Sequence, residues 1–166
     1  FWVTEFRRMV RYSNGLRGSP RREGDFVVGA GVAAEGKEIL SITEKGYGKR
    51  TAVEEYRLTN RGGLGIRNYA VTDKTGPVVG IKIVDGSEDL LLVTQSGILI
   101  RTAVENIRAA GRATQGVIVM RFKEEGDQVI ALALAEREEE KEGAEESAQE
   151  MQSPAAEESG QEDKQE

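Results

Sequence analysis

Residues 39–46 read Ile-Leu-Ser-Ile-Thr-Glu-Lys-Gly, and residues 90–97 repeat the pattern as Leu-Leu-Leu-Val-Thr-Gln-Ser-Gly, 51 positions further along. The same offset places Arg-Thr-Ala-Val-Glu at 50–54 and again at 101–105. Self-similarity at a fixed period of this size indicates a repeat architecture, in which each unit packs its faces on its neighbours. The repeat alone therefore indicates the fold class, without reference to any single residue.

Each unit is predicted to form short strands. The apolar runs at 78–84, 90–95 and 98–102 are bounded by turn residues. Lys-Gly at 45–46 and Ser-Gly at 96–97 separate consecutive runs, as expected for tight hairpin turns. A fourth strand is expected at 65–72, with its copy at 116–122. Four strands in about 50 residues is the size of a propeller blade, so we expect an all-β fold, a partial β-propeller or β-pinwheel of four-stranded blades.

The repeats divide the body of the chain, residues 1–135, into about two and a half units, which are 1–51, 52–102 and 103–135. From residue 136 the sequence changes to Glu, Gln, Ala and Ser with few apolar side chains. Such a segment cannot bury enough apolar surface to offset its chain entropy, so a disordered acidic tail is predicted over 136–166. Because the sequence begins with Phe1 and the first unit is incomplete, we expect a fragment of a longer protein with further blades.

The charge of the chain is distributed unevenly. Residues 1–135 hold 20 Lys and Arg against 16 Asp and Glu, which gives +4, whereas residues 136–166 hold 3 against 13, which gives −10. A basic body with an acidic arm is typical of proteins that contact nucleic acid. The tail is predicted to compete with DNA for the basic surface.

Several function classes are disfavoured by what the sequence lacks. There is no Cys and no His, which leaves no disulfide framework, no thiolate metal site and no imidazole base. A phosphate loop of the Gly-x-x-x-x-Gly-Lys-Ser/Thr type is missing, and no apolar run is long enough to cross a bilayer. We therefore predict no catalytic or metal site in this chain and no membrane partner, and we expect a cytoplasmic binding module.

The basic residues that recur in the repeat are the candidate site. Arginine occupies one repeat position at 7, 57 and 108, a second at 11, 61 and 112, and a third at 50 and 101. Equivalent residues of stacked blades lie at equivalent places on the rim, so these arginines are predicted to form a basic stripe. The full set of predicted DNA-binding residues is Arg7, Arg11, Lys49, Arg50, Arg57, Arg61, Gly62, Gly63, Gly65, Arg101, Arg108 and Arg112.

Arginine and glycine suit contacts with phosphate for different reasons. The guanidinium group offers a planar fork of donors to phosphate oxygens. Glycine lets the backbone approach closely and leaves amide groups able to face an anion. A stripe of phosphate contacts gives affinity without base readout, and on a curved surface it bends the duplex. The alternative is that these arginines pair with Glu54, Glu55 and Glu105 on a solvated surface.

Residues 43–65 carry a family resemblance. The run Thr-Glu-Lys-Gly-Tyr-Gly-Lys-Arg-Thr at 43–51, with Val-Glu-Glu-Tyr-Arg at 53–57 and Arg-Gly-Gly-Leu-Gly at 61–65, resembles a late blade of the DNA gyrase A C-terminal domain. Gly-Arg-Ala-Thr-Gln-Gly at 111–116 is similar to the loop of its final blade. The family's signature box, Gln-Arg-Arg-Gly-Gly-Lys-Gly, has its nearest copy at 59–65, where Leu64 stands in place of the lysine.

The resemblance implies a spiral of six blades that wraps DNA around its rim. It also implies that the complete enzyme, a type II topoisomerase, supercoils DNA negatively with ATP and Mg²⁺, as a dimer of gyrase A that works with gyrase B. The breakage-reunion domain is missing, so this chain is expected to cleave nothing alone and to hold no cofactor. Three alternatives remain open: the equivalent domain of topoisomerase IV, a protein-docking propeller, and a propeller enzyme, which the lack of His disfavours.

Overall fold

The computed structural model describes residues 18–137, and this part of the chain is built from strands. Seven strands and two 3-10 turns, at Val53–Glu55 and Val104–Asn106, occur in this range. The strands are β1 (Glu38–Thr43), β2 (Tyr47–Ala52), β3 (Val78–Val84), β4 (Glu88–Thr94), β5 (Leu99–Ala103), β6 (Val117–Ile118) and β7 (Val129–Glu136). The expected all-β fold is confirmed.

The strands form two antiparallel sheets that repeat one another. The first sheet has the order β3-β1-β2-β6, and the second has the order β5-β4-β7. In the β1–β2 hairpin Leu40 lies opposite Arg50, and in the β4–β5 hairpin Leu91 lies opposite Arg101, which are the same two positions 51 residues later. The hairpins therefore share one register. Because side chains alternate across a strand, a shared register sends equivalent residues to equivalent faces.

We call the stretch from β1 to β3 the first repeat and the stretch from β4 to β7 the second repeat. The second repeat completes the first sheet. Its residues 108–120 run along the free edge of β2, where the Arg50 amide donates to the Arg108 carbonyl at 3.2 Å and the Ala110 amide donates to the Arg50 carbonyl at 2.8 Å. Further along, β6 pairs with Tyr47 and Gly48. The backbone groups at the edge of β2 therefore bond to the backbone of the second repeat, and these hydrogen bonds hold the two repeats together.

The faces of the two sheets also pack on each other. Leu132 of β7 fits against Gly80 of β3, where a Cβ would overlap the leucine side chain. Ile81, which precedes Leu132 by one repeat, fits in the same way against Gly29. A shared core of buried residues lies beneath these contacts: Leu40, Ile42, Val84, Leu90, Leu92, Val104, Ile107, Met120 and Val129.

One strand prediction is wrong. No strand forms at 65–72, and its predicted copy at 116–122 shortens to the two residues of β6. β6 forms where β2 offers it a free edge, at Tyr47 and Gly48. The apolar runs of the hairpins and of β3 form strands close to the predicted bounds. Arg7, Arg11 and the predicted acidic tail lie outside the described residues, apart from Glu136 and Arg137, and the repeat boundaries stay predictions.

Candidate nucleic-acid interface

Two arginines project from the same structural position in consecutive repeats. Arg57 follows the first 3-10 turn by two residues, and Arg108 follows the second in the same way. Both side chains are exposed. Neither forms an ion pair with another residue in the described range. A guanidinium in this setting keeps its donors available to an anionic partner.

Lys49 has a different environment from the one that its place in the predicted stripe suggests. Its side chain is fully buried, and its Nζ donates to the carbonyl oxygens of Gly111 and Arg112 at 2.8 and 2.6 Å. The ammonium also lies 5.0 Å from the centre of the Tyr69 ring. Burial lowers the pKa of Lys49. This corrects the sequence interpretation, because a buried side chain cannot touch a duplex. Lys49 instead stabilises the loop that contains Gly111 and Arg112.

Arg50 is likewise committed within the protein. It forms an ion pair with Glu38 at 2.6 Å, and its Nε donates to the Ile107 carbonyl at 2.7 Å. A weaker bond of 3.3 Å reaches the Glu105 carbonyl. These partners are an acid on the neighbouring strand and the backbone of the next repeat's turn. The guanidinium therefore locks two repeats together, and little of it faces solvent.

Arg101 occupies the equivalent position in the second hairpin. It pairs with Asp89 at 2.6 Å, as Arg50 pairs with Glu38, and it donates to the Glu136 carbonyl at 3.2 Å. Its side chain is 44% exposed, compared with 17% for Arg50. The structure thus leaves Arg101 more accessible to a partner than its repeat mate.

Arg112 lies at the tip of a loop that touches the preceding repeat. Its amide donates to the Glu55 carboxylate at 2.9 Å, and its Nη1 donates to the carbonyl of Arg67 at 2.8 Å. These bonds bring the loop of the second repeat beside the loop of the first. Arg67 is exposed, and the sequence interpretation did not include it. Its equivalent 51 positions later is Ile118, but Arg17 matches it at the offset of 50 that relates Arg7 to Arg57, and that match could have identified it.

The predicted glycines lie in the first of these two loops, next to half-buried Arg61. Gly62, Gly63 and Gly65 are exposed. The backbone at Gly62 and Gly65 has φ of 83° and 75°, which only glycine adopts readily, and no atom lies within 4 Å of a Cβ placed on either. This stretch of backbone is open to a close approach.

The glutamates that could have neutralised the charges of Arg57 and Arg108 have other hydrogen-bond partners. Glu54 accepts a hydrogen bond from the Gly36 amide, which lowers the pKa of that carboxyl. Glu105 pairs with Arg137 at 2.8 Å. Glu55 accepts the amide of Arg112 rather than a guanidinium. Arg57 and Arg108 are therefore not paired with these acids, and their positive charges are not neutralised by them.

Residues 18–137 contain no cluster of acidic metal ligands and no membrane-spanning helix. No group of three or more Asp and Glu side chains in this range is arranged to hold a metal ion. Nor does this range contain a helix long and apolar enough to span a membrane.

The sequence matches a known family along most of its length. The profile of the DNA gyrase C-terminal domain, a β-propeller, matches residues 3–34, 37–85 and 88–136. DNA gyrase A of Staphylococcus epidermidis is 47% identical over 124 residues, and so is that of Staphylococcus aureus. Each alignment covers 74% of this chain and 14% of the relative, so the chain spans a small part of these proteins.

Solved structures give the same result for the fold. A DNA gyrase A C-terminal domain superposes with a TM-score of 0.55 at 26% identity, over 58% of this chain and 33% of the other. The C-terminal domain of a DNA topoisomerase IV superposes with a TM-score of 0.67 at 22% identity, over 74% of this chain and 38% of the other. The second likeness concerns the fold alone.

Proposed function

This chain belongs to the DNA gyrase C-terminal domain family, and we propose on that basis that it binds double-stranded DNA along its rim of loops and bends the duplex around itself. The observation that carries the proposal is the recurrence of Arg57 and Arg108. They occupy one structural position in successive repeats, are exposed, and have no ion-pair partner among residues 18–137.

The recurrence of these residues suits a backbone-binding mode. Contacts from arginine to phosphate fix the position of a duplex without reading its bases. Two such contacts on separate repeats hold the duplex at separate points, and Arg61, Arg67, Arg101 and Arg112 add basic groups around them. Binding of this kind is electrostatic and releases counterions, so its affinity depends steeply on salt.

We further propose that the chain serves a complete DNA gyrase A protein. There the wrapped duplex would be presented for strand passage, so that ATP-dependent negative supercoiling results. In that assembly gyrase A is a dimer and works with gyrase B, and ATP and Mg²⁺ act on parts of the enzyme outside this chain. The chain alone would bind DNA without cleaving it, in the cytoplasm and on the chromosome.

The test is the salt dependence of duplex affinity, measured for the 166-residue chain and for a variant with Arg57→Ala and Arg108→Ala. Each lost phosphate contact reduces the slope of log affinity against log salt by about 0.9, so the double variant should lose roughly 1.8. The control carries Lys74→Ala and Lys82→Ala, which remove the same charge from exposed positions outside these two arginine sites. Its slope should change less.

Equal slopes for the two double variants would show that net charge, rather than the rim, attracts DNA. Absence of DNA binding by the folded, unmutated chain would contradict the proposal and favour a protein-docking propeller.

A further inference from the structure

We propose that residues 110–116, here called the Gly111 loop, form a phosphate site made of backbone amides, because buried side chains of the preceding repeat draw the loop's carbonyl groups inward. The inference rests on the proposed DNA binding and identifies which groups besides the arginines would contact the duplex. It also assigns Lys49 a positioning role at that site.

Four carbonyl groups of the Gly111 loop accept hydrogen bonds from three side chains of the first repeat. Thr51 Oγ1 donates to the Ala110 carbonyl at 2.8 Å, and Lys49 Nζ donates to the next two carbonyls, those of Gly111 and Arg112. Tyr69 Oη donates to the Gln115 carbonyl at 2.5 Å. All three donor residues are buried, so water does not compete for these bonds.

The hydrogen bonds to these carbonyl groups also fix the direction of the neighbouring amides. In a trans peptide unit the C=O and the following N–H are antiparallel, because the unit is planar. The amides of Gly111 and Ala113 therefore point away from the buried donors, and both residues are exposed. Neither amide donates to a described residue. The amide of Arg112, by contrast, is already bound by Glu55.

Outward amides of this kind suit an anion. Backbone N–H groups that converge on one side of a loop form concave sites for phosphate oxygens. A cavity of about 450 Å³ lies beside the Gly111 loop, and Arg108 lines it together with Gly111 and Thr114. The exposed guanidinium of Arg108 and the Gly111 amide can thus share one phosphodiester, with the arginine supplying charge and the amide fixing its position. Ala113 does not line this cavity.

A buried cation is an effective way to build such a loop. A lone buried ammonium is costly, but here its charge is solvated by two carbonyl dipoles and the face of the Tyr69 ring. Replacing Lys49 by Met keeps the apolar stem and removes the donors. The Arg112 carbonyl then loses its partner, and the Gly111 carbonyl keeps only bonds from within its own loop, those of the Thr114 amide and hydroxyl. The loop is no longer anchored to the first repeat by Lys49, so its amides need not stay outward.

The experiment follows the backbone amide resonances of the 166-residue chain during titration with a short duplex. The Gly111 and Ala113 amide protons should shift downfield and saturate with the affinity measured for the duplex as a whole. In the Lys49→Met variant both shifts should disappear and the affinity should fall about tenfold, as expected for a lost set of bonds to a charged group. Lys82→Met removes the same charge from an exposed position and should change the affinity less than about twofold, a difference of roughly 0.4 kcal/mol.

The outcomes separate this inference from the proposed function. If the chain binds the duplex and the Gly111 and Ala113 amides do not respond, the amide site is overturned while DNA binding stands. If no duplex binds at all, the proposed function itself fails. If Lys49→Met does not fold, the titration of the unmutated chain still decides the question, because it needs no variant.

Discussion

At the scale of single residues, two adjacent basic side chains have different functions. Lys49 and Arg50 follow each other on β2 and so point to opposite faces. Lys49 is buried under the Gly111 loop, whereas Arg50 joins Glu38 and the turn of the next repeat. The sequence predicts that both are basic and that Arg50 recurs. It could not predict the burial of Lys49, because the carbonyl groups that accept its hydrogen bonds lie more than sixty residues away in the sequence.

Asp89 gives a pH prediction at this scale. Its hydrogen bond with Arg101 lowers the pKa of the carboxyl below the ordinary value of 3.8, against the opposing effect of desolvation. A depressed pKa in the folded state contributes stability above the ordinary pKa, and this stability is lost as the pH falls through the lowered value. Asp89→Asn removes that contribution.

The free energy of unfolding in urea, measured from neutral pH down to about pH 3, checks this expectation. The unmutated chain should lose more stability on acidification than Asp89→Asn does, while being the more stable of the two at neutral pH. Asp73→Asn is the control, since Asp73 is exposed and forms no ion pair within the described range. Parallel curves for the Asp89 variant and the unmutated chain would contradict this role of Asp89.

At the scale of elements, the two hairpins are an internal comparison. Arg50 and Arg101 make the same cross-strand ion pair, each at 2.6 Å. Within residues 18–137, only Arg50 also binds the 3-10 turn of a following repeat, through the Ile107 and Glu105 carbonyls. A comparison of the two arginines therefore measures how much the bonds from Arg50 to the next repeat contribute to stability.

We expect Arg50→Met to destabilise the fold more than Arg101→Met, by about 1–2 kcal/mol. Arg50→Met removes the donor of the partly buried bond to the Ile107 carbonyl, whereas Arg101→Met removes an exposed bond to the Glu136 carbonyl. Denaturant unfolding of the two variants provides the measurement, with Arg101→Met as the matched control for loss of the ion pair. Equal losses of stability would show that the contacts of Arg50 with the next repeat contribute nothing.

Elements made of local contacts were predictable, and those made of distant contacts were not. Each hairpin consists of two apolar runs separated by a Gly-containing turn, so the sequence specifies the pairing by itself. β6 depends on the edge of β2, which comes from the preceding repeat, and its two residues pair there with Tyr47 and Gly48. The stretch at 65–72 has the right composition, but no strand within residues 18–137 pairs with it, and backbone groups form a ladder only in pairs.

At the scale of the whole molecule, the period of 51 residues explains which positions the sequence could relate to one another and which it could not. It correctly singled out Arg57 and Arg108 as equivalent, and the structure places them at equivalent exposed positions. It did not single out Arg67, whose equivalent 51 positions later is Ile118, although Arg17 precedes it by the 50 positions that separate Arg7 from Arg57. Nor could it give the contacts of Tyr69 and Glu55 with the Gly111 loop. A repeat identifies shared positions, whereas within residues 18–137 these contacts join one particular pair of repeats.

The most direct test of the central claim, that the rim binds and bends DNA, is duplex affinity as a function of length, from about 10 to about 40 base pairs, or roughly one to four helical turns. If the claim holds, the affinity of the 166-residue chain rises with length beyond a single turn, and Arg57→Ala with Arg108→Ala flattens the rise. An affinity that stays constant from the shortest duplex to the longest, once corrected for the number of available sites, would contradict the claim.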